Sequence, residues 1–472
     1  MGSKWKQTTL GDLALGFDGA VDGPFGSNLP AAAYTDSGYP IIRGSNLSIG
    51  LDDFKDNDFV FVPEHIFQKL SRSECRAGDI IFTKKGTLGQ TGLISTKHRF
   101  EKYLLSSNQM RLRVDPEKAL PEYVYYCVSS QKAINKIIQD SECTGVPKIN
   151  LAYLKSFPIS LPSLSEQQDI IDILGSLSTK ITLNRQINQT LEQMSQTLFK
   201  SWFVDFDPVI DNALDAGNPI PEAMQSRAEL RQKVRNSADF KPLLAEIRSL
   251  FPSEFEETEP GWLPKGWKHG NLNDVTKILS GFAFKSKDFG DEGKSVIKIK
   301  NINIDKTIDI DHTQKISDIV AKDVKRFQLF DADILMAMTG ATVGKFGILA
   351  SKNHEEYYLN QRVAKFETDK KAYLYCILNQ ESTERFIINT AQGSAQPNIS
   401  AKDILSIPLT LPSNEIITIF NTFVDPLFYR MIANTKVSLS LTELRDTLLP
   451  KLISGELSLE DLPDLSTNTE AA

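Results

Sequence analysis

Apolar and polar positions along this chain alternate between two periods. Short runs rich in Ile, Val and Phe, bounded by Gly or Asp, read as strands at 39–43, 59–62, 79–83 and 109–114. A stretch at 121–140 then places Tyr123, Val124, Cys127, Ile134, Ile137 and Ile138 at helical spacing. The same order returns later, with strands at 295–299, 333–338 and 361–366 and a helix near 372–389. A much longer helical pattern follows each series. The first runs through Ile170, Leu174, Leu177 and Ile181, then polar Asn184 and Asn188, then Leu191, Leu198 and Trp202. The second, about 250 residues on, runs through Phe420, Val424, Leu427 and Met431, then Asn434 and Ser438, then Leu441, Leu448 and Leu452. Alternating steps of three and four residues are the seam of a coiled coil, where a polar residue fixes register at some cost in stability. The matched register and matched polar gap predict two long helices packed on each other. The plainer reading is an amphipathic helix lying on its own domain. At 1.5 Å per residue a helix of ~40 residues spans roughly 60 Å, the length of a spacer. Ser165, with Gln168 three residues on, predicts the N-cap and capping box of the first long helix.

Residue identities repeat along with the pattern. Gly86-Thr87-Leu88-Gly89-Gln90-Thr91-Gly92-Leu93-Ile94 answers Gly340-Ala341-Thr342-Val343-Gly344-Lys345-Phe346-Gly347-Ile348. Asn108-Gln109 answers Asn360-Gln361, and Phe157-Pro158-Ile159-Ser160-Leu161-Pro162 answers Ile407-Pro408-Leu409-Thr410-Leu411-Pro412. Trp5-Lys6 recurs as Trp267-Lys268. The expected architecture is mixed α/β: a module at 1–165, a helical region at 166–260, a second module at 261–412, and a C-terminal helix with an acidic tail at 413–472. A further helical stretch is expected near 224–250, and disorder after Glu456. Two diverged copies of one module suit a protein that does one job at two places. Catalysis seldom needs that arrangement; reading a two-part target does.

A chain of 472 residues is too long for one core and predicts two to four domains. Its 41% hydrophobic and 24% charged residues are ordinary for a globular protein. No apolar run approaches the ~20 residues of a membrane helix, and Met1-Gly2-Ser3-Lys4-Trp5 has no apolar core for a signal peptide. A cytoplasmic protein is expected. Cys75, Cys127, Cys143 and Cys376 show no paired spacing and read as reduced, buried thiols rather than a metal site or disulfide frame. The net charge of −7 is unevenly spread: both repeated modules are mildly basic, and the acidity lies in the segments after them. That suits modules facing phosphate and helical parts facing something else.

The motifs of catalysis are missing. A DNA methyltransferase loop would read Asn/Asp-Pro-Pro-aromatic, and Asn218-Pro219-Ile220-Pro221 does not. Gly340 to Lys345 is one residue short of a phosphate-cradling P-loop and lacks its metal-binding hydroxyl. His65, His98, His269, His312 and His354 have no metal-ligand spacing. What remains in each module is a glycine-punctuated strand–loop–strand, with Lys84, Lys85 and Thr87 in one and Thr342 and Lys345 in the other. A second matched exit from a strand carries Arg43 and Asn46, or Lys298, Lys300 and Asn301. Such residues reach phosphates and base edges; the plain alternatives are a hairpin with a solvated tip and a surface turn.

Taken together, Gly78-Asp79-Ile80-Ile81 with Gly86, the Asn-Gln pair before a strand, and Pro158 to Gln168 opening a long helix resemble a known family. The run from Leu198 through Trp202-Phe203-Val204-Asp205-Phe206-Asp207-Pro208, and Leu263-Pro264 with Gly266-Trp267 at the second start, extend that likeness over essentially the whole chain. The family is the specificity subunit of type I restriction–modification systems. The resemblance implies two target-recognition domains that each read half of a bipartite double-stranded DNA sequence. It implies an antiparallel coiled coil setting the gap, with Leu174, Leu177, Ile181, Leu191 and Leu198 facing Val424, Leu427, Met431, Leu441 and Leu448. It further implies docking of two modification (methyltransferase) subunits and of restriction (endonuclease/translocase) subunits. This chain would then hold no cofactor, with S-adenosylmethionine, ATP and magnesium belonging to those partners. The second copy departs from the pattern where Ser413-Asn414-Glu415 replaces Ser163 to Gln168. Two rival readings stand beside this one: a coiled-coil scaffold joining non-nucleic-acid partners, and a nuclease or methyltransferase in its own right.

Overall fold

The structure is a computed structural model that describes residues 5–52, 54–141, 146–391 and 397–457. The chain divides into two compact units, Met1–Lys180 with Leu441–Ala472, and Ile181–Ser440. Cys143, the first four residues and the tail from 458 onward lie outside the described residues.

In the first unit the apolar run Asp79–Thr83 is buried at every position, as a central strand covered on both faces must be. It lies between Gln109–Arg113 and Gln90–Leu93 in an antiparallel five-stranded sheet, with Ala20–Asp22 and Ser48–Ile49 at the edges. A four-stranded sheet contains Tyr39–Ile42 and Val60–Val62; its one parallel pair joins Tyr39–Ile42 to Tyr103–Leu105. The second unit repeats this scheme. Ile334–Ala337 lies between Val363–Glu367 and Phe346–Ile348, and Lys294–Ile297 pairs in parallel with Tyr357–Leu359. Each copy is tied off by a two-stranded ribbon joining its start to its exit, Lys6–Thr9 with Pro158–Leu161 and Lys268–Asn271 with Pro408–Leu411.

Several expected helices are broken. The stretch 121–140 forms Pro121–Val128 and Gln131–Gln139, because the Ser130 hydroxyl accepts the Ala133 N–H and starts a new helix. Likewise 372–389 forms Lys371–Leu378 and Glu381–Ala391. The stretch near 224–250 keeps only Gln225–Arg235 and Ala245–Arg248 as α-helix, since Pro242 cannot continue one. Gln225–Arg235 packs on Asp207–Ala216 through a ladder: Arg227 on Asp207, Arg231 on Asp211, and Arg235 on Asp215, which Arg248 also holds.

The long helices are continuous, a central one at Leu164–Phe203 and a terminal one at Asn414–Ser454. The central helix is capped by Ser163, not Ser165. The Ser163 hydroxyl accepts the Glu166 N–H at 3.3 Å, and Glu166 accepts the Ser163 N–H at 2.9 Å. The box therefore closes two residues earlier than expected, and its returning side chain is a carboxylate. Ser413 accepts the Ile416 N–H at 3.4 Å in the same way, but isoleucine cannot return the bond.

Within the second unit the helices meet through their polar gap. Asn184 donates to the Asn434 carbonyl (3.4 Å) and the Ser438 hydroxyl (3.2 Å). Asn188 donates to the Met431 carbonyl (3.1 Å) and Thr435 (3.2 Å), and Asn434 donates to Asn188 Oδ1 (2.9 Å). Partners that fall as numbers rise make the pairing antiparallel. Ile181, Val424 and Met431 are buried here, and Leu191 and Leu198 half-buried, while Phe428 is fully buried where Leu427 is half-exposed. In the first unit Leu174 is buried with Leu449 and Leu452, and Leu448 packs against them half-buried; Leu177 and Leu441 are also half-buried. One window of the terminal helix reaches a mean hydropathy of 1.2, as apolar as a membrane span, where no such run was expected. Its buried Asn421, Asn434 and Arg445 mark it as a core helix that meets protein. In the second unit Phe199, Trp202, Phe203, Tyr373 and Phe420 form an aromatic cluster between these helices and Lys371–Leu378.

Candidate nucleic-acid interface

In each unit one end of the central sheet gathers segments distant in sequence. Antiparallel register puts the exits of Ala20–Asp22 and Asp79–Thr83 beside the entries of Gln109–Arg113 and Gln90–Leu93. The loop after Asp79–Thr83 is held by backbone bonds: Lys84 N–H to the Asn108 carbonyl (2.7 Å), Gly86 N–H to the Pro147 carbonyl (3.2 Å), and Ile149 N–H to the Lys84 carbonyl (3.0 Å). The second copy makes the same three bonds, Met338 to Arg362 (3.0 Å), Gly340 to Pro397 (2.9 Å) and Ile399 to Met338 (2.9 Å).

Two further features fix this frame. Gly89 and Gly344 have φ of 84° and 82°, and a side chain there would stand 2.8 Å from Ile134 or 2.7 Å from Ile387. Only glycine meets both demands. Asp79, buried, binds Arg113 through two 2.7 Å bonds and accepts the Arg76 N–H. Asp333 matches it, with Lys365 at 2.8 Å, Lys371 at 3.4 Å and the Phe330 N–H.

Within each copy the two matched strand exits approach one another. Gln90 bonds both the Thr83 hydroxyl (3.1 Å) and the Leu47 carbonyl (3.4 Å), and a side chain at Gly340 would stand 4.0 Å from Ile299. Not all of the expected site residues face outward. Asn46 is 1% exposed: its amide oxygen accepts the Arg43 N–H (2.9 Å), and its nitrogen donates to the Lys55 and Asn57 carbonyls (3.1 and 2.9 Å). Asn301, also 1% exposed, accepts the Lys298 N–H (3.0 Å) and donates to the His312 carbonyl (3.2 Å). Both asparagines spend their buried side chains on shaping a 3₁₀ turn. Arg43 is half-buried and donates to the Asp58 carbonyl at 3.0 Å. Lys84 pairs with Asp22 at 2.9 Å, while Lys85 and Thr87 are exposed. Lys298 bonds Gln314 and stands 3.8 Å over the Phe289 ring; burial, then Lys300, holds its ammonium below the ordinary lysine range. Lys300 is exposed, and Thr342 and Lys345 are half-buried.

The structure adds residues that sequence reading passed over. Lys148 bridges to Lys85 and Asn398 to Thr339 through backbone, and exposed Asn108 and Arg362 stand at matching turns. Lys148 follows Lys84 by 64 positions, so only topology could reveal it. The sequence match of Asn108-Gln109 with Asn360-Gln361 is also displaced. Gln109 pairs with Thr83 and Val363 with Ala337, so Arg362, not Asn360, corresponds to Asn108. A small cleft in the second copy is lined by Met338, Thr339, Gln361, Arg362, Pro397 and Asn398. Among the described residues no group of His, Cys, Asp and Glu is arranged to hold a metal, and Cys75, Cys127 and Cys376 are free thiols. Burial pushes the Cys127 thiol up to about 12.

The family model for the type I restriction modification DNA specificity domain matches residues 3–193 and 264–437, covering both copies. The chain belongs to that family. It is 28% identical to the type I restriction enzyme HindI specificity subunit of Haemophilus influenzae, over 96% of this chain and 100% of that one. It is 25% identical to the MjaIX specificity subunit of Methanocaldococcus jannaschii, over 82% of this chain and 79% of the relative. The crystal structure of a type I restriction–modification S subunit from M. genitalium shares the fold, with a TM-score of 0.51 at 15% identity over 95% of this chain and 96% of that one. The chain is thus a specificity subunit of a type I restriction–modification system, a recognition component and not an enzyme.

Proposed function

We propose that this specificity subunit binds an asymmetric, two-part duplex DNA target, with one half read at each sheet end. The observation that carries the reading is a shared backbone frame with different exposed side chains: three matched hydrogen bonds hold tips that differ between copies. Identical frames present groups to similar surfaces, and different tips read different sequences. Arg43, Lys84, Lys85 and Thr87 in the first copy, with Lys298, Lys300, Thr342 and Lys345 in the second, contact phosphates or base edges; Asn46 and Asn301 position their turns. Recognition domains at 1–165 and 261–412 flank a helical region at 166–260, and a C-terminal region at 413–472, a helix with an acidic tail, contributes its helix Asn414–Ser454 as the partner. The Asn184, Asn188 and Asn434 contacts hold the helices in one register, and the paired helices set a fixed gap between half-sites. Linking two modest half-sites raises affinity through effective concentration. The helical regions dock two modification subunits and, through them, restriction subunits, which bring S-adenosylmethionine, ATP and magnesium to cytoplasmic DNA.

The test is to express the chain with its modification subunit in an unmethylated host and map modified adenines. One asymmetric bipartite motif with a constant gap is the expected result. A palindromic motif would mean that one copy reads both halves. An unmodified genome, with the partner shown to be bound, would favour the scaffold reading.

A further inference from the structure

At the recognition end of the first unit, strand Ala20–Asp22 runs into Gly23-Pro24-Phe25-Gly26-Ser27-Asn28. Both ends of this segment are fixed. The Gly23 N–H donates to the Gln109 carbonyl at 2.9 Å, and a side chain at Gly23 would stand 2.0 Å from the Ser106 carbonyl oxygen. Pro24 is buried, and Leu29 packs with Ile41, Val62, Phe67 and Leu104. The Asn28 N–H closes the turn on the Phe25 carbonyl at 2.8 Å. Phe25 itself is 81% exposed, so an anchored loop holds a full aromatic ring in water and forgoes its burial.

The segments beside that loop carry lysines. Asp22, at the loop's root, is the partner of Lys84, and Lys85 and Lys148 lie on the adjoining segments. The second copy lacks this feature. Two positions past Gly281, the counterpart of Gly23, stands Ala283. The flanking Phe282 and Phe284 pack inward with Phe327 and Phe289 at ring distances of 5.5 and 5.8 Å.

We propose that Phe25 is a DNA-contacting wedge of the first copy only, its ring entering a base step at the first half-site while the neighbouring lysines hold phosphates. An exposed apolar ring on an anchored loop, with lysines on the adjoining segments, fits a ligand with charged edges and stacked aromatic faces, and wedges of this kind unstack the step they enter. The proposal rests on the DNA-binding reading above.

The experiment uses the full chain in complex with its modification subunits and its mapped target duplex, carrying 2-aminopurine at successive positions. Apart from the adenine that a modification subunit flips out in each half-site, fluorescence should rise at one step in the first half-site and at none in the second. Phe25→Ala should abolish that rise and weaken binding by about tenfold, the range of a single base–aromatic stack, with the salt dependence unchanged. Phe25→Trp should keep both. Because the ring is exposed, the melting temperature should not move. Unchanged affinity and fluorescence in Phe25→Ala, with salt-dependent binding intact, would overturn the wedge and leave the DNA reading standing. Loss of modification subunits from the Phe25→Ala complex would make the ring a protein contact and also overturn it. A wild-type complex that bound no duplex would overturn the DNA reading itself.

Discussion

Where the first copy has Lys84, Lys85 and Lys148 at the end of its sheet, the second has a buried Met338, then Thr339 and Asn398; where the first has Asn108, the second has Arg362. The backbone bonds beneath these residues are the same three in both. The frame is set instead by groups beneath the surface: a buried aspartate, a glycine pressed on an isoleucine, and main-chain bonds. The tips are then free to diverge in charge. The first copy carries three lysines there; in the second, one arginine and several uncharged polar groups line the same place.

The largest losses of stability are expected at the buried aspartates. Asp79→Ala should cost about 3–5 kcal/mol, because it strands a partly buried Arg113 without its two bonds. Asp333→Ala should cost less, since Lys365 and Lys371 are flexible ammonium groups that can turn toward water. Urea denaturation of the two variants measures the gap, and an equal loss would mean the clamps are interchangeable. Next come the glycines. Gly89→Ala and Gly344→Ala should each cost about 1–3 kcal/mol from backbone strain and overpacking, and by equal amounts if the copies share one frame. A large inequality in their thermal shifts would refute the structural match.

A smaller effect sharpens the charge difference. Replacing Lys84, Lys85 and Lys148 together by alanine should lower the slope of log affinity against log salt, by about 0.9 for each phosphate that those lysines neutralise. Arg362→Ala should lower it by about 0.9 at most, the share of one phosphate. Equal slopes in a filter-binding titration would deny the first copy its larger electrostatic share. The smallest effect concerns a feature of the second unit alone, its aspartate–arginine ladder. Hydrogen bonds from Arg235 and then Arg248 hold the Asp215 carboxyl below the ordinary aspartate range. A depressed folded pKa stabilises above the unfolded value of about 3.9 and loses that contribution as pH falls through the folded one. The penalty of Asp215→Asn should therefore be small at neutral pH, given its exposure, and vanish in acid. A penalty that grew as pH fell would reverse the sign.

Much of this fold was legible in the sequence where one interaction dominates. The run at 79–83 reads as a strand, and the two helical stripes with the same polar interruption favour helices that meet over helices lying each on its own domain. Reading failed where a short side chain chose between neighbours. Ser130 restarts a helix that periodicity alone would carry through, and Ser163 outcompetes Ser165 because Glu166 returns the bond. Site residues were legible by type but not by direction. Asn46 and Asn301 look like base-reading amides in sequence, yet two carbonyls in the first copy and one in the second, together with a backbone N–H in each, decide their use. Lys148 and Arg362 needed the ladder, because their neighbours lie dozens of positions away.

The separation of fixed frame from exposed tip has an evolutionary consequence. A random change at Phe25, Lys85, Thr87, Asn108 or Lys148 falls on a side chain open to solvent, and such changes usually leave stability within about 0.5 kcal/mol. Most proteins acquire a new ligand preference only by spending part of a thin stability margin. If these tips read the target as proposed, new preferences can be sampled one point mutation at a time with folding intact, so a lineage can drift through target sequences without passing through misfolded intermediates.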